Sequence, residues 1–217
     1  MLTFDKALHQ YRLDGRLLPY VSEIMQTTGY DPYFGNNEDA MELGRNVHET
    51  TALYDCGDLD ESSLHPVLAG YLEGWKRFKT EWVPTLRRTT ICDIKTNSVP
   101  WTAGIQMAFY EILVREFDFL DWQSKSAQAN FVLSIGTTMV HKWENVLIEV
   151  PMYSNLGFAG TPDRVYVINP ADQIIDRLAV ELSPNGKYRP VPCTRRKDRA
   201  MAMAALSIFF DAANRCQ

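Results

Sequence analysis

A chain of 217 residues with 46% hydrophobic and 23% charged side chains has enough apolar material for one domain with a sizeable core. A net charge of −5 excludes a surface coated for passive nucleic-acid binding, and no run of about 18 apolar residues offers a membrane span. The start "MLTFDKALHQYRLDG" lacks a secretory pattern, and Cys56, Cys92, Cys193 and Cys216 form no CxxC or Cys/His cluster, so a cytoplasmic chain with free thiols is expected.

In chain order, "FDKALHQYRLDGRLLPYVSEIM" reads as two short strands around an Asp14-Gly15 turn, then a helix start. Residues 38–55 have helical periodicity with Gly44 inside, where glycine costs about 1 kcal/mol against alanine. Close packing or the approach of a ligand would account for that glycine. Residues 65–82 form a second amphipathic helix, with Leu68, Tyr71, Leu72, Trp75 and Phe78 as its core stripe. Residues 89–95 predict a strand and 101–117 a helix. In the weakly patterned segment 118–145, only "ANFVLSI" resembles a strand. "NVLIEVPMYS" and "GFAGTPDRVYVIN" read as two strands joined at Gly157, and "IIDRLAVEL" and "KYRPVPC" as another pair around Pro184-Asn185-Gly186. A helix over 198–214 closes the chain. Helices around a mixed central sheet are the most economical architecture.

Two places carry chemistry. In "TTICDIKTNSVPWTAGIQMAFYEIL", Asp93 and Lys95 are two apart on a strand and share a face. In "GTPDRVYVI", Asp163 stands at the mouth of an apolar strand. Carboxylates at neighbouring strand ends make a hard-oxygen site suited to Mg²⁺ or Mn²⁺, and a lysine alongside suits a phosphoryl centre. The plainer alternatives are a strand-end ion pair of about 0–1 kcal/mol and a turn aspartate. Gln106 and Tyr110, spaced i, i+4, share a helix face that follows the Lys95 strand directly.

"GTPDR" and "DIKT" together resemble the PD-(D/E)XK nuclease superfamily. "GRNVHETTALYDCGDLDE", "IQMAFYE" and "LIEVPMYSNLGFAGTPDR" resemble elements of its RecB-type branch, which includes phage-type single-domain exonucleases. The N-terminal "HQYRLDGRLLPYVSEIM" is also similar to phage-type members. The resemblance implies an α/β restriction-endonuclease-like core over residues 1–217, with a helical elaboration at about 36–82. It implies Asp163, Asp93, the Ile94 carbonyl and His48 as ligands of Mg²⁺ or Mn²⁺. Lys95 would then act on water, and Gln106 and Tyr110 would position lysine or substrate. Glu149 becomes an acid near that centre or for a second metal. The family's iron–sulfur members carry closely spaced cysteines that this chain lacks, so no cluster is expected.

The chain order departs from the family, where the aspartate strand precedes the Asp/Glu-x-Lys strand. Here Asp163 follows Asp93 by 70 residues, so the motif strands come in a rearranged order and need a long crossover, which 118–145 would supply. The expected activity is a metal-dependent exonuclease acting on linear DNA in a bacterial or phage-infected cytoplasm. The basic run with Lys187, Arg189, Arg195, Arg196 and Lys197 would carry the DNA contacts, or else is a solvated loop and helix start. The alternatives are an endonuclease of the same superfamily and an inactive nuclease-fold module that binds DNA or protein. An acidic chain leaves room for recruitment by a single-strand annealing or binding protein, and a ring-shaped oligomer is compatible with the resemblance.

Overall fold

The computed structural model describes residues 1–30, 38–96, 98–118, 140–141, 146–168 and 174–215. The expected strand "ANFVLSI" and most of 118–145 lie outside them. The first three strands, β1 (Leu2–Asp5), β2 (Gln10–Leu13) and β3 (Arg16–Leu18), form an antiparallel meander. Asp14 and Gly15 both have positive φ, 50° and 82°, as a two-residue hairpin of matching twist requires. Strand β1 was not expected from sequence, where its four residues are too few to show a period.

The remaining elements are α1 (Val21–Thr27), α2 (Glu38–Cys56), α3 (Pro66–Glu81), β4 (Thr90–Lys95), α4 (Ala103–Glu116), β5 (Val140–His141), β6 (Val146–Ile148), β7 (Met152–Ser154), β8 (Phe158–Gly160), β9 (Arg164–Tyr166), β10 (Asp176–Leu182), β11 (Tyr188–Pro192) and α5 (Arg196–Arg215). Six strands form the main sheet in the order β11-β10-β4-β9-β6-β5, with β10 parallel to β4 and the other pairs antiparallel. Strand β4 thus stands between β10 and β9, although β9 and β10 follow one another in the chain.

Side chains alternate across the sheet and feed two cores. Ile91, Leu147, Val165 and Ala179 pack with α1, α4 and α5, while Cys92, Ile94, Ile148, Tyr166 and Val180 pack with Trp75 and Phe78 of α3 and Val47 of α2. Helix α4 is buried on nearly every side from Ala103 to Val114, which its apolar composition permits. Helices cover both faces of a mixed sheet. Among the described residues, no helix is long and apolar enough to cross a membrane, and Cys56, Cys92 and Cys193 are free thiols.

The two strands expected on either side of Gly157 are each divided. Strands β6 and β9 pair in the main sheet, while β7 and β8 form a separate two-stranded sheet. Yet Ile148 pairs with Arg164 and Met152 with Gly160, four residues on along one strand and four back along the other. It is one hairpin with an interrupted middle. Pro151 and Pro162 have no N–H for the ladder, and Glu149 leaves the extended region at φ 48°.

Helix α3 lies directly against the β10–β11 turn. A Cβ on Gly70 would meet the Pro184 carbonyl oxygen at 1.8 Å, and both partners are backbone. Gly70→Ala is therefore expected to destabilise by about 1–3 kcal/mol, seen as a melting temperature several degrees lower. Gly44 is different. A Cβ there would stand 3.9 Å from Thr96 Oγ1, so packing among the described residues does not require the glycine. Gly44→Ala is expected to raise stability by about 1 kcal/mol through helix propensity.

Candidate active site

The break in the hairpin is where the acids gather. Strands β4 and β9 pair up to Cys92 opposite Arg164, so the next residues along, Asp93 and Asp163, face each other across neighbouring strands. On the other side of β9, Glu149 N–H donates to the Asp163 carbonyl oxygen (3.0 Å). Asp93, Asp163 and Glu149 therefore stand in one row across β4, β9 and the end of β6. Asp93 is on the same face as Ile91, which packs against α4. The rearranged chain order does not keep the two aspartates apart, because strand pairing is set by packing rather than by sequence distance.

Each acid is held. Ile94 N–H donates to Asp163 Oδ2 (2.6 Å), and His48 Nδ1 of α2 lies 3.3 Å from Asp163 Oδ1. Lys95 Nζ is 2.7 Å from Asp93 Oδ2 and donates to Gln106 Oε1 (3.0 Å); Gln106 Nε2 in turn donates to Tyr110 Oη (3.1 Å). The i, i+2 spacing on the strand and the i, i+4 spacing on the helix thus join in one chain: Asp93, Lys95, Gln106, Tyr110. The Lys95 side chain is 12% exposed, which leaves it a way to solvent. On Asp93, burial disfavours charge and the neighbouring Asp163 adds to this, and together they outweigh Lys95; its carboxyl titrates above the ordinary range. Asp163 is also buried, yet His48, the Ile94 amide and Lys95 draw it down to about 2. Burial opposes charge on His48, but Asp163 outweighs it, so the imidazole titrates above 6.5.

The His48–Asp163 pair therefore has a pH window. The stabilisation on the Asp163 side is complete above 3.8 and is lost as pH falls toward about 2. On the His48 side it is complete below 6.5 and is lost as pH rises through the raised folded value. Melting curves of wild type and His48→Gln are expected to differ most between about pH 4 and 6.5 and to converge outside that range.

Sequence reasoning missed a second cluster on the opposite face of the sheet. Arg164 is fully buried; its Nε donates to Asp55 Oδ2 (2.6 Å) and its Nη1 to the Asp163 carbonyl oxygen (2.6 Å). Asp55, at the end of α2, also accepts from Trp75 Nε1 (3.0 Å), and Lys79 Nζ is 2.8 Å from it. Two helices are thereby tied to the backbone of the residue that faces Asp93. The signal was present in "RVYV", where alternation places an arginine on the face that otherwise packs as core. Glu149 is half-buried, and the partial desolvation raises its carboxyl above the usual range.

Of the basic residues, Lys187 and Arg189 lie at the Lys95 end of the sheet. Lys95 pairs in register with Glu181, and Glu181 with Arg189, to which it is also ion-paired. Two strand spacings put Arg189 roughly 10 Å from Lys95. Lys187 is on the turn after β10, at the sheet edge where β4 also ends, because the two strands are parallel. Arg195, Arg196 and Lys197 are exposed around the first turn of α5.

Mg²⁺ and Mn²⁺ require few protein ligands, often one or two carboxylates. Among the described residues, no group of three or more His, Cys, Asp and Glu is arranged to hold a metal ion. Asp93 and Asp163 nonetheless supply two hard oxygen donors side by side, and a cation would relieve the repulsion that raises Asp93. The donor set fits. Compared with protein-family models, with curated proteins and with solved structures, the chain gives no match.

Proposed function

We propose that this protein is a metal-dependent deoxyribonuclease with a restriction-endonuclease-like core that hydrolyses phosphodiester bonds from the ends of linear DNA. The observation that carries the reading is the facing pair Asp93 and Asp163 with Lys95 beside Asp93, held by Gln106. Asp93, Asp163, the Ile94 carbonyl and His48 would hold Mg²⁺ or Mn²⁺. When bound, the metal polarises a phosphoryl oxygen and lowers the pKa of water. Lys95 presents its ammonium to the scissile phosphate, where it orients water and stabilises the charge that develops. Gln106 takes one Lys95 proton in a hydrogen bond and so fixes the direction of the amine, while Tyr110 fixes the Gln106 amide. Glu149, whose backbone N–H bonds the Asp163 carbonyl oxygen, would hold a water of the metal or a second ion. Arg189, Lys187 and the start of α5 offer phosphates a cationic rim, so affinity falls steeply with salt.

The test uses end-labelled linear duplex and closed circular DNA with Mg²⁺, Mn²⁺ or EDTA. Metal-dependent release of nucleotides from the linear substrate, with circles spared, is expected. Cutting of circles would reassign the protein as an endonuclease. DNA binding without turnover in any metal would overturn the enzymatic reading in favour of an inactive module.

A further inference from the structure

Trp101 is 61% exposed, an unusual position for the largest apolar side chain. The chain between β4 and α4 is closed at its base by the Lys95 Nζ–Gln106 Oε1 hydrogen bond, and Trp101 lies on that closed loop, two residues before α4 begins. Tyr30 meets it in a T-shaped pair, with ring centroids 6.3 Å apart and planes at 73°, while Tyr30 itself packs against the core. The indole thus has Tyr30 beside it and is open to solvent.

Cations stand at the start of the helix that packs on α4. A Cβ on Gly104 would touch Asp198 Oδ2 at 2.3 Å, so the first turn of α5 is pressed against the first turn of α4. Asp198 points inward, buried and facing Arg177. Arg195, Arg196 and Lys197, immediately before it, are exposed. An exposed aromatic ring and a run of exposed cations therefore flank the packed first turns of α4 and α5, the ring on the loop between Lys95 and Gln106. Stacking platforms combined with a cationic track are how proteins hold single-stranded nucleic acid. Paired bases of a duplex are stacked on each other and cannot offer a face to a side chain away from the end.

We infer that this patch binds a single-stranded DNA tail, with one unpaired base stacked on Trp101 and the adjoining phosphates on Arg196 and Lys197. The inference builds on the proposed nuclease reading and names its preferred substrate as a tailed or frayed end. The test measures binding in EDTA, where no hydrolysis occurs, using a fluorescent duplex with a tail of about ten nucleotides and the same duplex with blunt ends. Wild type is expected to favour the tailed duplex. Trp101→Ala should lose about tenfold on the tailed duplex and little on the blunt one, with most of the loss recovered in Trp101→Phe. The double change Arg196→Ala, Lys197→Ala should weaken both and reduce the salt dependence by about two counterions. Equal affinity of wild type for the two duplexes would overturn the inference, as would a Trp101→Ala loss that is absent or the same on both. Because binding is read without metal, a failure to hydrolyse DNA in Mg²⁺ counts only against the proposed reaction.

Discussion

Lys95→Ala is expected to lower the rate of DNA hydrolysis by about 10²–10⁴-fold while leaving DNA affinity within a few-fold. Losses of that size follow the removal of a group that stabilises charge developing in a transition state inside a water-poor site. Lys95 is well placed for such a role, with one contact to Asp93 at 2.7 Å and another to Gln106 at 3.0 Å. The variant also leaves Asp93 buried beside Asp163 without its cation, and Asp93 already titrates above the ordinary carboxylate range. Some stability is lost for that reason, so the rate is to be compared below the variant's melting temperature. Gln106→Ala gives an independent reading. It leaves Lys95 and Asp93 in place and removes only the group that aims the amine, so a smaller loss of about tenfold is expected. Equal rates for wild type and Lys95→Ala would remove the lysine from the chemistry altogether.

Asp55→Ala is expected to destabilise the fold by about 3–5 kcal/mol, the usual result of stripping one partner from a buried ion pair. Arg164 is fully buried and Asp55 nearly so. After the change the guanidinium keeps its bond to the Asp163 carbonyl but loses its anion, and the Trp75 N–H and Lys79 lose theirs. At roughly 2–4 °C per kcal/mol for a chain of this length, the melting temperature should fall by about 6–20 °C. Glu81→Ala serves as the comparison. It breaks an exposed pair with Arg77 at 3.1 Å and an exposed hydrogen bond from Tyr188 Oη at 2.7 Å, each expected to contribute about 1 kcal/mol or less. Similar losses in the two variants would mean that the buried cluster is not what joins α2 and α3 to the sheet.

Much of the fold was legible in the sequence because its long elements have strong periods. The helices at 38–56, 66–81 and 103–116 and the strand at 90–95 all stand close to where periodicity placed them. The pairs Asp93–Lys95 and Gln106–Tyr110 were legible for the same reason, since i, i+2 and i, i+4 spacings are local geometry. The pairing of β4 with β9 was not. It depends on which apolar faces fit together, and nothing local to "DIKT" or "GTPDR" states that they are neighbours. The divided hairpin could have been read from Pro151 and Pro162, each unable to donate within a ladder. Asp55 was hidden in a different way: on a helix an aspartate usually faces water, and only the buried Arg164 beneath it explains its place.

The proposed reaction requires that Asp93 and Asp163, with His48 at hand, hold a divalent cation. Crystals soaked in Mn²⁺, with anomalous diffraction collected above the manganese absorption edge, address it directly. A peak between the carboxylates of Asp93 and Asp163, absent in Asp163→Asn, is the expected result. A well-ordered site with no peak there at millimolar Mn²⁺ would contradict this binding, and with it the metal-dependent reaction.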